Sequence, residues 1–305
     1  MVYYYKLFGL ILRSEIILEQ LLEQTDDYGS FDIDFKIGIC PVDLINTANI
    51  VKPFSRFNDI EFIFVVPQIA KYYVTNGNLI VVEPISDDLN NVLSFFYTNA
   101  ITAALFQRGM MPIHASAVKV NNTQVVLFPA PSGYGKSTTA IFLAQKGYPV
   151  FSDDTVVLMQ NENKIFAIPS FPIIKLWSNT IAAQNIFGQE DGIAIVKGIS
   201  KYSLSLKNNF DALPMEVAAI VFLDKLTEKF EIEKLTALKS ILLLGNNIYR
   251  KQWVKGMKVH QNQFQILTSV VNKVPGHIAY RPDRVNTFES FADLIDKTIL
   301  QKVNE

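Results

Sequence analysis

Hydrophobic and polar positions change their spacing along the chain, and the first 85 residues have the pattern of a small β-rich module. Short apolar segments alternate there with turn residues, as in short strands of a partly buried sheet. The predicted strands and the turn that joins the last two are Tyr3–Leu10, Phe31–Ile39, Ile60–Val66, Lys71–Thr75, Leu79–Pro84 and the turn Asn76–Asn78.

A long helix is predicted next, at residues 86–111. The segment Ile85–Asp88 offers N-cap residues, the helical pattern runs through Arg108, and Gly109 and Pro112 end it. The stretch Leu89–Met111 contains several asparagines and an arginine, and is too polar to span a membrane. We interpret this helix as a bridge between the β-rich module and the rest of the chain.

From Pro112 onward, strands alternate with helices, which predicts an α/β unit over residues 112–305. A hairpin leads into a glycine-rich loop, and a helix follows the loop. The predicted elements are the strands His114–Val120, Val125–Phe128, Tyr148–Phe151, Thr155–Gln160, Ile165–Ile168, Ile173–Trp177 and Val217–Leu223, and the helices Lys136–Lys146 and Val285–Lys302.

Composition favours a globular protein. Hydrophobic residues make up 49% of the 305 residues, and the formal net charge of −1 gives no basic excess for nucleic-acid binding. The single cysteine, Cys40, excludes an internal disulfide and suits a reducing compartment. Met1–Leu12 is apolar but has neither the basic n-region nor the small-residue cleavage site of a signal peptide. We therefore expect a cytoplasmic protein without a nucleic-acid or membrane partner; the oligomeric state stays open, a homo-oligomer included.

The strongest functional signal is the segment Ala130–Ser137, which lies between a predicted strand and a predicted helix. It fits a Walker A phosphate-binding loop with alanine in place of the first glycine. Lys136 is expected to reach the β- and γ-phosphates, and the Ser137 hydroxyl to bind magnesium. A glycine-rich corner without a ligand is the alternative. The predicted cofactors are ATP and Mg²⁺, and the predicted nucleotide-binding residues are Ala130, Pro131, Ser132, Gly133, Tyr134, Gly135, Lys136, Ser137 and Thr138.

Two adjacent carboxylates, Asp153 and Asp154, follow the strand that we expect beside the loop strand. One carboxylate can bind magnesium while the other takes the proton of an attacking hydroxyl. We predict that Asp153 is the base and Asp154 the metal ligand; a simple turn that caps Thr155 is the alternative. Asp224, at the end of an apolar strand, is a rival magnesium ligand or the first residue of an exposed turn.

The chain resembles the HPr kinase/phosphorylase family, and more closely its shorter HPr serine kinase-like relatives, which include lasso-peptide precursor kinases. The resemblance is carried by the segments His114–Val118, Ala130–Thr139, Lys146–Asp154 and Ile168–Trp177. It implies an α/β fold with a phosphoenolpyruvate carboxykinase-like P-loop core. It also implies ATP-dependent phosphorylation of a serine hydroxyl on a peptide or small protein. The family's glycine-rich C-terminal signature has no equivalent here, so the resemblance does not extend to phosphorolysis or to HPr as acceptor.

Four further basic residues lie outside the loop. The resemblance implies that His114 orients or polarises a carboxylate: a neutral imidazole can donate an N–H to Asp153, and, if the pair is partly buried, the pKa values of both groups shift toward an ionised carboxylate and a charged imidazole; a core histidine bonded to a carbonyl is the alternative. Lys175 either contacts the transferred phosphate or is an ordinary strand-edge lysine. Lys201 and Arg281 are expected to be solvated.

Two other functions stay open at this point. One is a nucleotide-binding regulatory protein that lacks transfer activity, and the other is a kinase of free serine or another small metabolite. A small closed pocket favours the metabolite, whereas an open groove favours a peptide.

Overall fold

A computed structural model describes residues 1–24, 29–41, 48–177, 193–194, 201–207, 210–225, 228–284 and 287–304. It shows a mixed α/β fold with several sheets. The N-terminal sheet is built from β1 (Tyr3–Leu7), β2 (Leu10–Ser14), β3 (Leu22–Gln24), β4 (Ile33–Ile37), β5 (Ile50–Lys52), β6 (Ser55–Phe57), β7 (Glu61–Val66), β8 (Ala70–Thr75) and β9 (Leu79–Pro84).

These nine strands lie in the order β3-β1-β2-β4-β9-β8-β7-β6-β5. The predicted strands are present, with one correction: the segment Tyr3–Leu10 forms the end of one strand and the start of the next. Phe8 and Gly9 have φ values of 50° and 73°, so the chain turns there and β2 pairs with β1 in the antiparallel sense. Such a turn needs left-handed backbone, which glycine adopts readily.

The predicted long helix follows this sheet, in three parts. It runs through Leu89–Phe95, a π-helical turn at Phe96–Ala100, and Ile101–Gln107. Asp88 caps its first turn by accepting hydrogen bonds from backbone amides. Buried side chains of the helix belong to one hydrophobic core together with residues of the N-terminal sheet and of the sheet that follows. The helix therefore joins the two sheets through shared packing.

The remaining strands form two further sheets. They are β10 (Met111–Ile113), β11 (Ala115–Lys119), β12 (Gln124–Pro129), β13 (Val150–Ser152), β14 (Val156–Asn161), β15 (Lys164–Pro169), β16 (Ile173–Trp177), β17 (Ile193–Ala194), β18 (Lys201–Ser205), β19 (Met215–Asp224), β20 (Glu231–Lys234) and β21 (Gly276–Tyr280). The larger sheet has the order β10-β14-β15-β19-β12-β11-β13, with β20 and β21 extending it from β19, and the smaller sheet has the order β16-β18-β17.

The strand directions bring several chain segments to one edge of the larger sheet. Strand β19 runs parallel to both β12 and β21, so the residues that follow these three strands start from the same edge. Strand β13 was expected directly beside β12, and this expectation is wrong because β11 lies between them. Since β11 is antiparallel to both, β13 nevertheless ends at the same edge as β12.

Helical segments pack around the larger sheet. They are Lys136–Gln145, Ala237–Asn246, the 3₁₀ turn Lys251–Trp253, His260–Lys273, Phe288–Ile295, the π-helical turn Asp296–Leu300 and Gln301–Asn304. The last three form the predicted final helix, whose first predicted residue, Val285, lies outside the described residues. Within the described ranges, every helix is too short or too polar to cross a membrane.

Candidate active site

The loop between β12 and the helix Lys136–Gln145 has the backbone of an anion-binding turn. Gly133 and Gly135 have φ values of 83° and 93°, in the left-handed region that favours glycine. Gly135 is the N-cap of the helix, so the first helical amides point toward the loop. Amides at the start of a helix bind anions through their N–H groups and the helix dipole. The loop that the sequence indicated therefore has the geometry of a phosphate site.

Lys136 is 6% exposed and its ammonium group lies over this loop. Its Nζ donates to the carbonyl oxygens of Ala130 at 2.9 Å and Pro131 at 3.2 Å. A third contact, 2.8 Å long, joins Nζ to Nε2 of His114. The positive charge of Lys136 is thus held at the position where the loop would receive phosphate oxygens.

His114 connects Lys136 to Asp154. Since an ammonium group can only donate, Nε2 of His114 accepts from Lys136 and the ring hydrogen lies on Nδ1. Nδ1 donates to the carbonyl oxygen of Asp154 at 2.8 Å and lies 3.6 Å from its carboxylate Oδ1. The carbonyl contact is the one that the alternative interpretation of a core histidine required.

Burial and the neighbouring charge of Lys136 both lower the pKa of His114. The lowered pKa favours the neutral imidazole that the sequence predicted as the donor, whereas the predicted shift of the pair toward a charged imidazole is wrong. The predicted hydrogen bond to Asp153 is also corrected, because the ring contacts Asp154 instead.

Asp153 is 3% exposed and is surrounded by donors. Its carboxylate accepts from the Ser116 hydroxyl at 2.5 Å and from the backbone N–H of Lys175 at 2.9 Å. The Ser137 hydroxyl lies 2.8 Å and 3.0 Å from its two oxygens. Ser116 was not predicted as a site residue. The feature that could have indicated Ser116 is its position two residues after His114, since alternate residues of a strand share one face.

Asp154 points the other way, into a cavity. Its φ of 65° is left-handed, an unfavourable conformation for a residue with a side chain, and such strain is common at functional sites. The Asp154 carboxylate, 23% exposed, forms a 2.8 Å ion pair with Nζ of Lys175. Burial lowers the pKa of Lys175, but the charge and hydrogen bond of Asp154 outweigh it and the net pKa is raised. Lys175 is therefore the partner of a carboxylate here.

The cavity has a volume of about 640 Å³ and lies beside the phosphate loop. Ala130, Pro131, Ser132 and Tyr134 form its loop side, with His114, Asp154 and Lys175 next to them. The lining also includes Tyr249 and Arg250, neither of which the sequence singled out. The Tyr249 ring lies 5.5 Å from the His114 ring, measured between centroids. Thr138, the last predicted loop residue, is buried in the first turn of the helix.

The rival acidic residue, Asp224, also reaches the cavity. It ends β19, and one of its carboxylate oxygens accepts from the backbone N–H of Lys225 at 2.7 Å. The carboxylate that contacts the Ser137 hydroxyl is that of Asp153. Asp153 thus matches the expected magnesium environment better than Asp224 does.

Arg281 was expected to be solvated, and this expectation is wrong. It is 3% exposed, because its guanidinium packs 4.0 Å from the centroid of the Phe288 ring and donates to the carbonyl of Pro282 at 2.9 Å. Its Nη2 lies 3.4 Å from the position of a Cβ built on Gly135. The side chain of Lys201, the other residue expected to be solvated, lies outside the described part of the chain.

The residues present fit a magnesium ion bound together with a nucleotide. Magnesium in such sites takes one or two protein oxygens in addition to phosphate oxygens and waters. The Ser137 hydroxyl and the Asp153 carboxylate supply two neighbouring oxygens at the start of the loop helix. Within the described residues, no group of three or more His, Cys, Asp and Glu side chains forms a metal site of its own.

Comparison with known proteins does not assign this chain to a family. No protein-family model matches the sequence, and no curated protein matches it. Among solved structures, the chain is similar to the Hpr(Ser) kinase/phosphatase from Coxiella burnetii, with a TM-score of 0.32 and 14% identity, over 63% of this chain and 97% of that one. A similarity this weak transfers neither residue roles nor substrates. The function is therefore argued from the geometry of the site.

Proposed function

We propose that this protein is a kinase that uses ATP and Mg²⁺ to phosphorylate a hydroxyl group, with a serine of a peptide or small protein as the expected acceptor. The observation that carries the proposal is the placement of Asp154 in a cavity that borders the phosphate loop. A loop for the donor phosphates and a carboxylate that faces an adjoining cavity are the parts that phosphoryl transfer requires.

The geometry favours the reverse of the roles that the sequence suggested for the two aspartates. We infer that Asp153 and Ser137 hold magnesium, because their oxygens are in contact and Asp153 is buried. The ion, when bound, would neutralise charge that develops on the phosphate oxygens. Lys136 would act on the same oxygens from the loop. We then assign Asp154, which lines the cavity, to the acceptor hydroxyl.

In the proposed reaction, the acceptor hydroxyl oxygen attacks the γ-phosphorus in line. A new oxygen–phosphorus bond forms while the bond from the γ-phosphorus to the bridging oxygen of ADP breaks, and the hydroxyl proton passes to Asp154. Lys175 holds the Asp154 carboxylate through their 2.8 Å ion pair. His114 fixes the same residue by its hydrogen bond to the Asp154 carbonyl.

A kinase of a small metabolite is the second candidate, and the size of the cavity favours it. A volume of about 640 Å³ lies in the range of small-molecule pockets. Transfer assays with γ-labelled ATP, magnesium, serine peptides and free L-serine separate the two candidates, with mass spectrometry to locate the phosphate. A protein that binds ATP and labels none of these acceptors fits the regulatory alternative.

Asp153→Asn and Asp154→Asn test the assignment of roles. Asp154→Asn should keep the affinity for Mg-ATP and lower kcat by about 10²- to 10⁴-fold, the range for loss of a general base. Asp153→Asn should require more magnesium for the same rate. The opposite pattern would restore the roles suggested by the sequence, and normal transfer by both variants would make Asp224 the candidate.

A further inference from the structure

The lining of the cavity contains an arginine in an unusual backbone conformation. Arg250 has φ 55° and ψ 38°, in the left-handed region, immediately before the turn Lys251–Trp253. The segment that precedes it is fixed to β10: the backbone N–H of Tyr249 donates to the carbonyl of Pro112 at 2.9 Å, and that of His114 donates to the carbonyl of Asn247 at 2.8 Å. Arg250 is therefore held at the cavity by a strained but well-supported backbone.

The charge of Arg250 has no acidic partner among the residues that the structure describes. The ion pairs formed by those residues do not include it, and its Nε is buried without a hydrogen-bond partner among them. Its guanidinium carbon lies 5.4 Å and 5.6 Å from the ring centroids of Tyr249 and Trp253. The lysine that lines the same cavity, Lys175, is paired with Asp154. A guanidinium group has a planar set of donors that matches a carboxylate or a phosphate.

The Tyr249 ring relates this arginine to the proposed base. Its centroid lies 5.5 Å from the His114 ring, which bonds to Asp154, and 5.4 Å from the Arg250 guanidinium carbon. Tyr249 is thus a neighbour of both His114 and Arg250, and an acceptor bound over its ring can present a hydroxyl to Asp154 and a second group to Arg250.

We propose that Arg250 binds an anionic group of the acceptor, so that the molecule phosphorylated is a hydroxyl compound that carries a carboxylate or a phosphate near the reacting hydroxyl. This inference rests on the proposed kinase function. Free serine carries such a carboxylate, and so does a peptide with an acidic residue beside its serine. Assays with both acceptors distinguish the two.

The experiment uses the full chain and three variants: Arg250→Gln, Arg250→Lys and Lys251→Gln. Lys251→Gln is the matched control, since it removes the same charge one residue away, where Nζ bonds to Asn246 rather than to the proposed acceptor. The acceptors are L-serine, a serine peptide with a neighbouring glutamate, and the same peptide with glutamine, with free or amidated C-termini. Thermal unfolding confirms that each variant is folded.

The wild type and Lys251→Gln should prefer an anionic acceptor. Arg250→Gln should raise KM for that acceptor by about ten- to a hundred-fold, as expected for a charge-assisted hydrogen bond, and leave KM for ATP unchanged. The KM of Arg250→Lys for the anionic acceptor should lie between those of the wild type and Arg250→Gln, because lysine keeps the charge and loses the planar set of donors. Equal use of charged and neutral acceptors by the wild type, or an unchanged preference in Arg250→Gln, would overturn the proposal.

Calorimetric binding of the same acceptors and of L-phosphoserine, with Mg-ADP present, separates this proposal from the kinase function. Binding needs no turnover. Weaker binding of an anionic probe to Arg250→Gln than to Lys251→Gln supports the anion site even where no transfer is seen. Such binding without transfer would refute only the kinase function. Equal binding of every anionic probe to both variants refutes the Arg250 assignment.

Discussion

Gly135→Ala offers a stringent test of the loop geometry, because two separate costs can be worked out for it. The residue has φ 93°, and an alanine in this left-handed region costs about 1–2 kcal/mol. The added Cβ would also lie 2.4 Å from Cε1 and 2.6 Å from Cζ of Phe288. Inserting a methyl group into packed surroundings costs about 1–3 kcal/mol. We expect Gly135→Ala to lower the free energy of unfolding by about 2–5 kcal/mol.

Phe288 cannot move aside without losing contacts of its own. It is 9% exposed, its ring stacks on Phe142 with centroids 6.1 Å apart, and the Arg281 guanidinium covers it at 4.0 Å. The clash should therefore displace the start of the loop helix and weaken Mg-ATP binding as well as stability. Nucleotide affinity is measured by calorimetry at a temperature at which the variant is folded.

Gly147→Ala separates the two costs. Gly147 has φ 95°, and nothing lies within 4 Å of its built Cβ, so this variant carries the backbone cost alone. Urea unfolding with unchanged m-values should show Gly135→Ala to be the more destabilised by about 1–3 kcal/mol. In a double-mutant cycle, adding Phe288→Ala should remove the clash, so the coupling free energy between the two substitutions should be of similar size. Equal losses for both glycine variants, or no coupling to Phe288, would refute the reasoning.

Three further predictions concern Lys136 and the two partly buried histidines, His114 and His277. Lys136→Ala should abolish tight nucleotide binding and transfer, because it removes the charge held over the loop; wild-type affinity in calorimetry contradicts this. His114→Ala should lower kcat by about ten- to a thousand-fold with nearly unchanged ATP affinity; an unchanged kcat shows that the ring does not position the base. Burial lowers the pKa of both His114 and His277, so the unfolded chain binds more protons below its ordinary histidine pKa of about 6.5. Stability should be retained above that pH and fall as the pH drops below it. Urea unfolding at a series of pH values should show a smaller loss of stability at low pH for His277→Gln than for the wild type. A wild type whose stability does not change with pH would exclude a contribution from the histidines.

The parts of the fold and site that the sequence predicted are those that depend on neighbouring residues. The loop Ala130–Ser137, its preceding hairpin and its helix form a continuous segment, and their residue types specify their own backbone. The acceptor side of the cavity is different. Tyr249 and Arg250 reach it because Ile248 forms a bridge with Ile113, more than a hundred residues earlier in the chain. No local pattern reports such a pairing.

The roles of the two aspartates could not be assigned from the sequence for another reason. Adjacent residues in an extended strand point to opposite faces, but which face meets the serine of the loop depends on where the strand ends. Strand β13 ends at Ser152, and the next side chain, that of Asp153, is buried and contacts the Ser137 hydroxyl. The left-handed backbone of Asp154 then turns its side chain into the cavity.

This geometry also explains why asparagine is the informative replacement at position 154. Asparagine, like aspartate, tolerates left-handed backbone, so Asp154→Asn keeps the turn and removes the charge. Alanine is strained at φ 65°, and a backbone change at residue 154 that relieves this strain would also move Asp153. The two are coupled because the Asp153 carbonyl accepts from the backbone N–H of Thr155 at 2.8 Å across that turn. A loss of activity in Asp154→Ala would therefore combine the loss of the base with a shift of the magnesium ligand. Only the asparagine variant assigns the effect to the carboxylate itself.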